Sequence, residues 1–186
     1  VLGVDTLKGS HAFEIVGMSK GAQLVLAASS RKKIGVFATE FTINSGAHKA
    51  AILAADDGAD VYPQACPKFV PLIEGEQFDG AEVRAAVAEY AAPLKAAGID
   101  TLILSCTHYP FIQKEIESEF GSEVTVIDPA DATAQDTKSV LAAEGLLRSE
   151  GAGSLEVCFT ADVERGARIA GRMLPQEKCR FKEIKL

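Results

Sequence analysis

The chain has 186 residues, 47% of them hydrophobic, and a formal net charge of −7 with an isoelectric point near 5.0. That apolar content supports a packed core of ordinary domain size and excludes wholesale disorder. The acidic balance argues against nucleic acid as a main partner, because phosphate binding needs clustered Lys and Arg. The locally basic stretch from Arg165 to Lys185 reads as a solvated helix face and a frayed end.

The chain opens on Val1-Leu2-Gly3-Val4, with no initiator Met. This reads as the middle of a buried strand, so the chain is expected to be a fragment or to begin inside a domain. Residues 11–28 read as helical, with Gly17 and Gly21 working against it. Residues 33–38 read as a strand, and 45–55 as a helix with Asn44 or Ser45 as N-cap. Residues 59–62 form a short predicted strand. Residues 81–97 form a predicted helix closed by Gly98 at the position after its end, and Pro93 is expected to kink or shorten it. Strands are predicted at 101–105, 123–127 and 155–160, and helices at 110–120, 130–147 and 162–174, the last capped by Asp162.

Alternating strands and helices imply an α/β fold, a parallel sheet with helices on both faces. Runs such as Thr101-Leu-Ile-Leu104 are apolar on both sides, as central parallel strands are. No apolar run reaches the roughly 20 residues that span a bilayer, and no membrane partner is expected. Cys66, Cys106, Cys158 and Cys179 show no CxxC pairing and read as the reduced thiols of a cytoplasmic protein. They match no compact metal motif, and no metal is expected.

In open α/β sheets, ligands sit at the carboxyl ends of the strands. Three strand ends carry polar or reactive side chains: the stretch from Thr39 to Ser45, the one from Gln64 to Pro67, and Ser105-Cys-Thr-His-Tyr-Pro110. The last is the sharpest. Cys106 directly follows a buried strand, and Pro110 suits the first turn of the next helix. A helix N-terminus beside the sulfur is expected to lower its pKa, with His108 as a hydrogen-bonding or charged partner. The same N–H groups, with Thr107, can bind a carboxylate. A cysteine after a strand is also a common small buried residue, and a lone His108 is commonly structural. Cys66 is expected to pack under its loop. Cys158 and Cys179 read as structural, and His11 and His48 as ordinary surface or helix residues. Glu74, at the end of an apolar segment, is either solvated or held against a site.

Three blocks carry a resemblance: residues 34–45 (Ile-Gly-Val-Phe-Ala-Thr-Glu-Phe-Thr-Ile-Asn-Ser), 65–74 (Ala-Cys-Pro-Lys-Phe-Val-Pro-Leu-Ile-Glu) and 98–110 (Gly-Ile-Asp-Thr-Leu-Ile-Leu-Ser-Cys-Thr-His-Tyr-Pro). In their order and spacing they resemble the glutamate racemases of bacterial cell-wall synthesis, and the likeness runs from about Ile34 to Met173. The resemblance implies a cofactor-independent isomerase with two pseudo-symmetric, Rossmann-like α/β domains. One cysteine from each domain flanks the α-carbon of glutamate, so that one thiolate takes the proton and the opposite thiol returns one. Cys106 matches the second of these cysteines, His108 its supporting acid/base and substrate-binding group, and Glu74 an acidic support. Thr107 and Thr39 match substrate-binding positions.

The resemblance further implies that residues 1–127 form the second domain and that 128–186 cross back to complete the first. It implies a homodimer, and a cell-wall precursor as activator in some members. The family's Asp-Ser-Gly and Cys-Asn-Thr blocks, the latter with the first catalytic cysteine, are missing. The chain alone is therefore expected to be inactive. Ser105 stands where Gly is common, and His48 where Tyr is usual. Alternatives are a racemase of the same superfamily acting on aspartate or another amino acid, and a non-catalytic binding module that keeps the fold.

Overall fold

A computed structural model describes residues 4–7, 11–151, 153–174 and 179–185. In chain order the elements are α1 (Val4–Leu7), α2 (Ala22–Ala28), β1 (Lys33–Ala38), α3 (Glu40–Asn44), α4 (Ala47–Ala55), β2 (Asp60–Ala65), α5 (Phe69–Glu74), α6 (Ala81–Ala97), β3 (Thr101–Leu104), a 3-10 turn (Tyr109–Ile112), α7 (Gln113–Phe120), a second 3-10 turn (Gly121–Glu123), β4 (Thr125–Ile127), α8 (Ala130–Ala143), β5 (Leu155–Phe159), α9 (Val163–Ala170) and β6 (Cys179–Glu183). Residues 1–146 and 147–186 form two compact units.

In the first unit four parallel strands pair in the order β2-β1-β3-β4. Side chains alternate along β1: Ile34, Val36 and Ala38 enter one core, and Phe37 enters the other. Leu102 and Leu104 of β3 join Phe37, while Ile103 joins the Ile34 side. Both faces are therefore apolar and each takes helices. Val25 of α2 and Ile52 of α4 fill one side; Phe69, Val87, Leu94, Ile116 and Tyr109 fill the other. This is the α/β parallel sheet with helices on both faces that the sequence implies.

Gly35 faces the α6 side. A Cβ there meets Ile99 Cδ1 at 2.7 Å and Leu94 Cδ1 at 3.0 Å, so its absence lets α6 lie close to the strand. Gly98 ends α6 with φ 70°, a left-handed conformation that glycine adopts without strain.

Several elements differ from their sequence reading. The 11–28 helix shrinks to Ala22–Ala28, because Gly21 takes φ 63° and sits where a Cβ would lie 2.3 Å from Ile103 Cδ1. The 45–55 helix starts at Ala47 after Gly46, also left-handed, and 40–44 forms a separate helical turn. Pro93 does not shorten α6; it lies on the exposed face, where water can reach the carbonyl it leaves unpaired.

Phe69–Glu74 is helical, with Pro71 in its first turn, where no N–H is required. The 110–120 helix begins as a 3-10 turn. Val4 begins a helical turn rather than continuing a strand, and Val1–Gly3 lie outside the described residues.

The second unit is a parallel βαβ motif: β5, α9 capped by the Asp162 side chain, and β6 in register with β5 from Leu155↔Cys179 to Phe159↔Glu183. The basic tail thus carries a strand where a frayed end was expected. Among the described residues no helix is long and apolar enough to cross a membrane.

Candidate active site

After β1 the chain moves to β2 on one side of it, then returns to β3 on the other. The carboxyl ends of β1 and β3 therefore diverge, and the crevice between them is where α/β sheets bind ligands. Phe37 and Leu104 are paired, and Ser105 N–H still donates to the Phe37 carbonyl at 2.8 Å. Two residues further, Thr39 and Cys106 leave the two strands at the same level. Thr39 is half-buried and its Oγ1 bonds Thr42 Oγ1 at 3.1 Å.

Residues 105–110 form a tight turn. Tyr109 N–H donates to the Cys106 carbonyl at 3.1 Å. The Tyr109 ring is fully buried against Phe69, edge to face at 5.1 Å, and its hydroxyl donates to the Cys66 carbonyl at 3.3 Å. A buried aromatic therefore anchors the turn that carries the thiol.

Cys106 is half-buried. Burial pushes its thiol above the ordinary value, against the opposing pull of the His108 and Tyr109 N–H groups. The sequence reading expected the reverse. The helix start is only a 3-10 turn, with its few N–H groups as the opposing force.

His108, also half-buried, bonds Glu74 Oε1 through Nε2 at 2.6 Å. A carboxylate only accepts, so Nε2 carries the proton. Glu74 comes from the end of α5, 34 residues away in sequence. Thr107 is exposed at the rim of the turn. The fold thus joins His108 to Glu74, keeps Cys106 and Thr107 on the same turn, and brings Thr39 to the facing strand end.

Two residues to which the sequence reading gives no role also stand here. Tyr109 is the anchor just described. His48 is buried rather than an ordinary helix residue: it is 5% exposed and lies 3.4 Å from Ser105 Oγ. No local pattern marks either role. Cys66 is fully buried, and burial raises its thiol steeply, which removes it from acid–base work. Among the described residues no group of three or more His, Cys, Asp or Glu side chains is arranged to hold a metal ion. A strand-end thiol two residues along the chain from a carboxylate-held imidazole can take a proton from, or give one to, a carbon acid.

Residues 2–137 match the family described as Asp/Glu/hydantoin racemase. The chain is 39% identical over 145 residues to a glutamate racemase of Lysinibacillus sphaericus, covering 77% of this chain and 55% of that relative. Its fold is similar to a crystal structure of a glutamate racemase isoform from Bacillus anthracis, with TM-score 0.86, 30% identity, 98% of this chain and 68% of the other. It is also similar to a Francisella tularensis glutamate racemase crystallised with D-glutamate, with TM-score 0.78, 28% identity, 91% of this chain and 62% of the other. The chain spans about half the length of the curated relative.

Proposed function

The chain belongs to the Asp/Glu/hydantoin racemase family, and from that premise we propose that the protein interconverts L- and D-glutamate by proton transfer at the α-carbon. D-glutamate for the bacterial cell wall is the product this reading assigns. The observation that carries it is the position of Cys106, which leaves β3 at the point where the sheet's strand order reverses.

In this reading the Cys106 thiol, as thiolate, takes the α-proton from one face of the substrate or, protonated, delivers one. His108 is held by Glu74 and stands two residues away to exchange a proton with the sulfur or the substrate. Thr39, Thr107 and the N–H groups of the turn face the substrate's carboxylates. The mechanism needs a second acid/base on the opposite face, because a single base returns the proton to the side it came from. Cys66 is too deeply buried for that role, and the resemblance puts the second thiol in a Cys-Asn-Thr block of another domain.

We assign residues 1–127 to one α/β domain and 128–186 to the completion of the other. Support comes from helices α8 and α9, neither of which has a buried residue among those described.

The test is racemisation by the full-length protein without added cofactor, followed by circular dichroism on glutamate and aspartate separately. Glutamate is expected to be turned over, and Cys106→Ala to stop it. Turnover of aspartate alone overturns the substrate; full activity of the variant overturns the mechanism.

A further inference from the structure

His48 and Ser105, 57 residues apart in the chain, meet in the fold. His48 is the second residue of α4, and its Nδ1 lies 3.4 Å from Ser105 Oγ and 3.4 Å from the Lys20 carbonyl. A carbonyl only accepts, so the Lys20 contact requires the proton on Nδ1, which then shares it with Ser105 Oγ. Nε2 becomes the bare nitrogen, and it is buried with no hydrogen-bond partner. Burial holds the imidazole below its ordinary pKa, which keeps it neutral.

The ring therefore ties three segments together. Lys20 precedes Gly21, which caps α2. His48 begins α4. Ser105 links the last residue of β3 to Cys106. An unpaired buried nitrogen is costly, and its persistence points to a role for the ring beyond filling space.

We propose that His48 is a positioning residue for Cys106, acting through Ser105. The shared Nδ1–H holds the strand side of the turn, while Tyr109 holds its helix side, and together they set where the sulfur stands. The functional meaning rests on the reading of Cys106 as the reacting thiol. The positioning itself is measurable without turnover.

The experiment is the rate of Cys106 alkylation by iodoacetamide in the 186-residue chain, read by mass spectrometry of the Cys106 peptide at fixed pH. Exposed Cys158 serves as the internal control. His48→Ala and Ser105→Ala are each expected to free the turn and speed Cys106 alkylation about threefold or more, the scale of one hydrogen bond. The double variant is expected to react no faster than either single one. His48→Asn, whose amide N–H takes the place of Nδ1–H, is expected to keep the parent rate.

Unchanged single-variant rates, effects that multiply in the double variant, or an Asn variant that behaves as Ala overturn the proposal. If His48→Ala fails to fold, Ser105→Ala against Ser105→Thr decides: acceleration in the Ala variant alone supports it, and equal rates refute it. Loss of this coupling leaves the reading of Cys106 as the reacting thiol intact. Full racemase activity of Cys106→Ala overturns that reading and leaves the coupling standing.

Discussion

Burial and hydrogen bonding pull the Cys106 sulfur in opposite directions, and burial wins. Alkylation of Cys106 is therefore expected to rise with pH to a midpoint above the ordinary thiol range. A midpoint below that range contradicts the assigned balance. Glu74 fixes the tautomer and orientation of His108, so Glu74→Gln in the full-length protein is expected to lower kcat about tenfold or more. The pH–rate profile is expected to change with it, and an unchanged kcat and profile would remove Glu74 from the site.

The turn that Cys106, Thr107 and His108 share is legible because they lie in one contiguous block at a strand end. Glu74 was ambiguous alone, since its partner is 34 residues away and only the resemblance raised it. The His48–Ser105 contact spans 57 residues and depends on α4 packing against the sheet, which no local pattern encodes. The shift direction at Cys106 was misread for a related reason: burial depends on the whole fold.

At the scale of elements, strong local signals read well. Strand β1 lies where its apolar run places it, and α6 ends at Gly98. Misread elements depend on tertiary geometry. Gly21 is left-handed at a contact with Ile103, α5 forms around a proline in its first turn, and β6 exists by pairing with β5. Gly35 tests the close approach of α6: Gly35→Ala is expected to lower unfolding free energy by about 1–3 kcal/mol, read as a lower urea midpoint.

Asp100 tests the loop between α2 and β1. It is 7% exposed and accepts from Ser29 Oγ at 2.6 Å, Arg31 N–H at 2.6 Å and Ser30 Oγ at 3.2 Å. Burial pushes its pKa up, but these bonds outweigh it and leave the carboxyl below the usual range. A depressed folded pKa adds stability above the unfolded value of about 3.9, and that stability is lost as pH falls through the folded value. Asp100→Ala is expected to cost about 2–4 kcal/mol at neutral pH and to flatten the acid limb of the stability curve. An unchanged urea midpoint at pH 7 would remove this loop tie.

At the scale of the whole molecule, the two units differ in how much they bury. The four-stranded sheet has a closed core on both faces, whereas no described residue of 147–186 is buried, and Leu147 and Met173 are exposed. Exposed apolar surface of this kind drives association. The isolated chain is expected to sediment with a concentration-dependent mass and to bind glutamate without racemising it; measurable turnover by this chain alone would refute the need for an opposing wall. The central claim is that Cys106 exchanges a proton with the α-carbon of glutamate. Its most direct test is nuclear magnetic resonance of the α-hydrogen of L- and D-glutamate in D₂O with the full-length protein and no cofactor. Exchange is expected with both enantiomers, and in Cys106→Ala it is expected to vanish for the enantiomer whose α-hydrogen faces Cys106; exchange of both at the parent rate in that variant would contradict it.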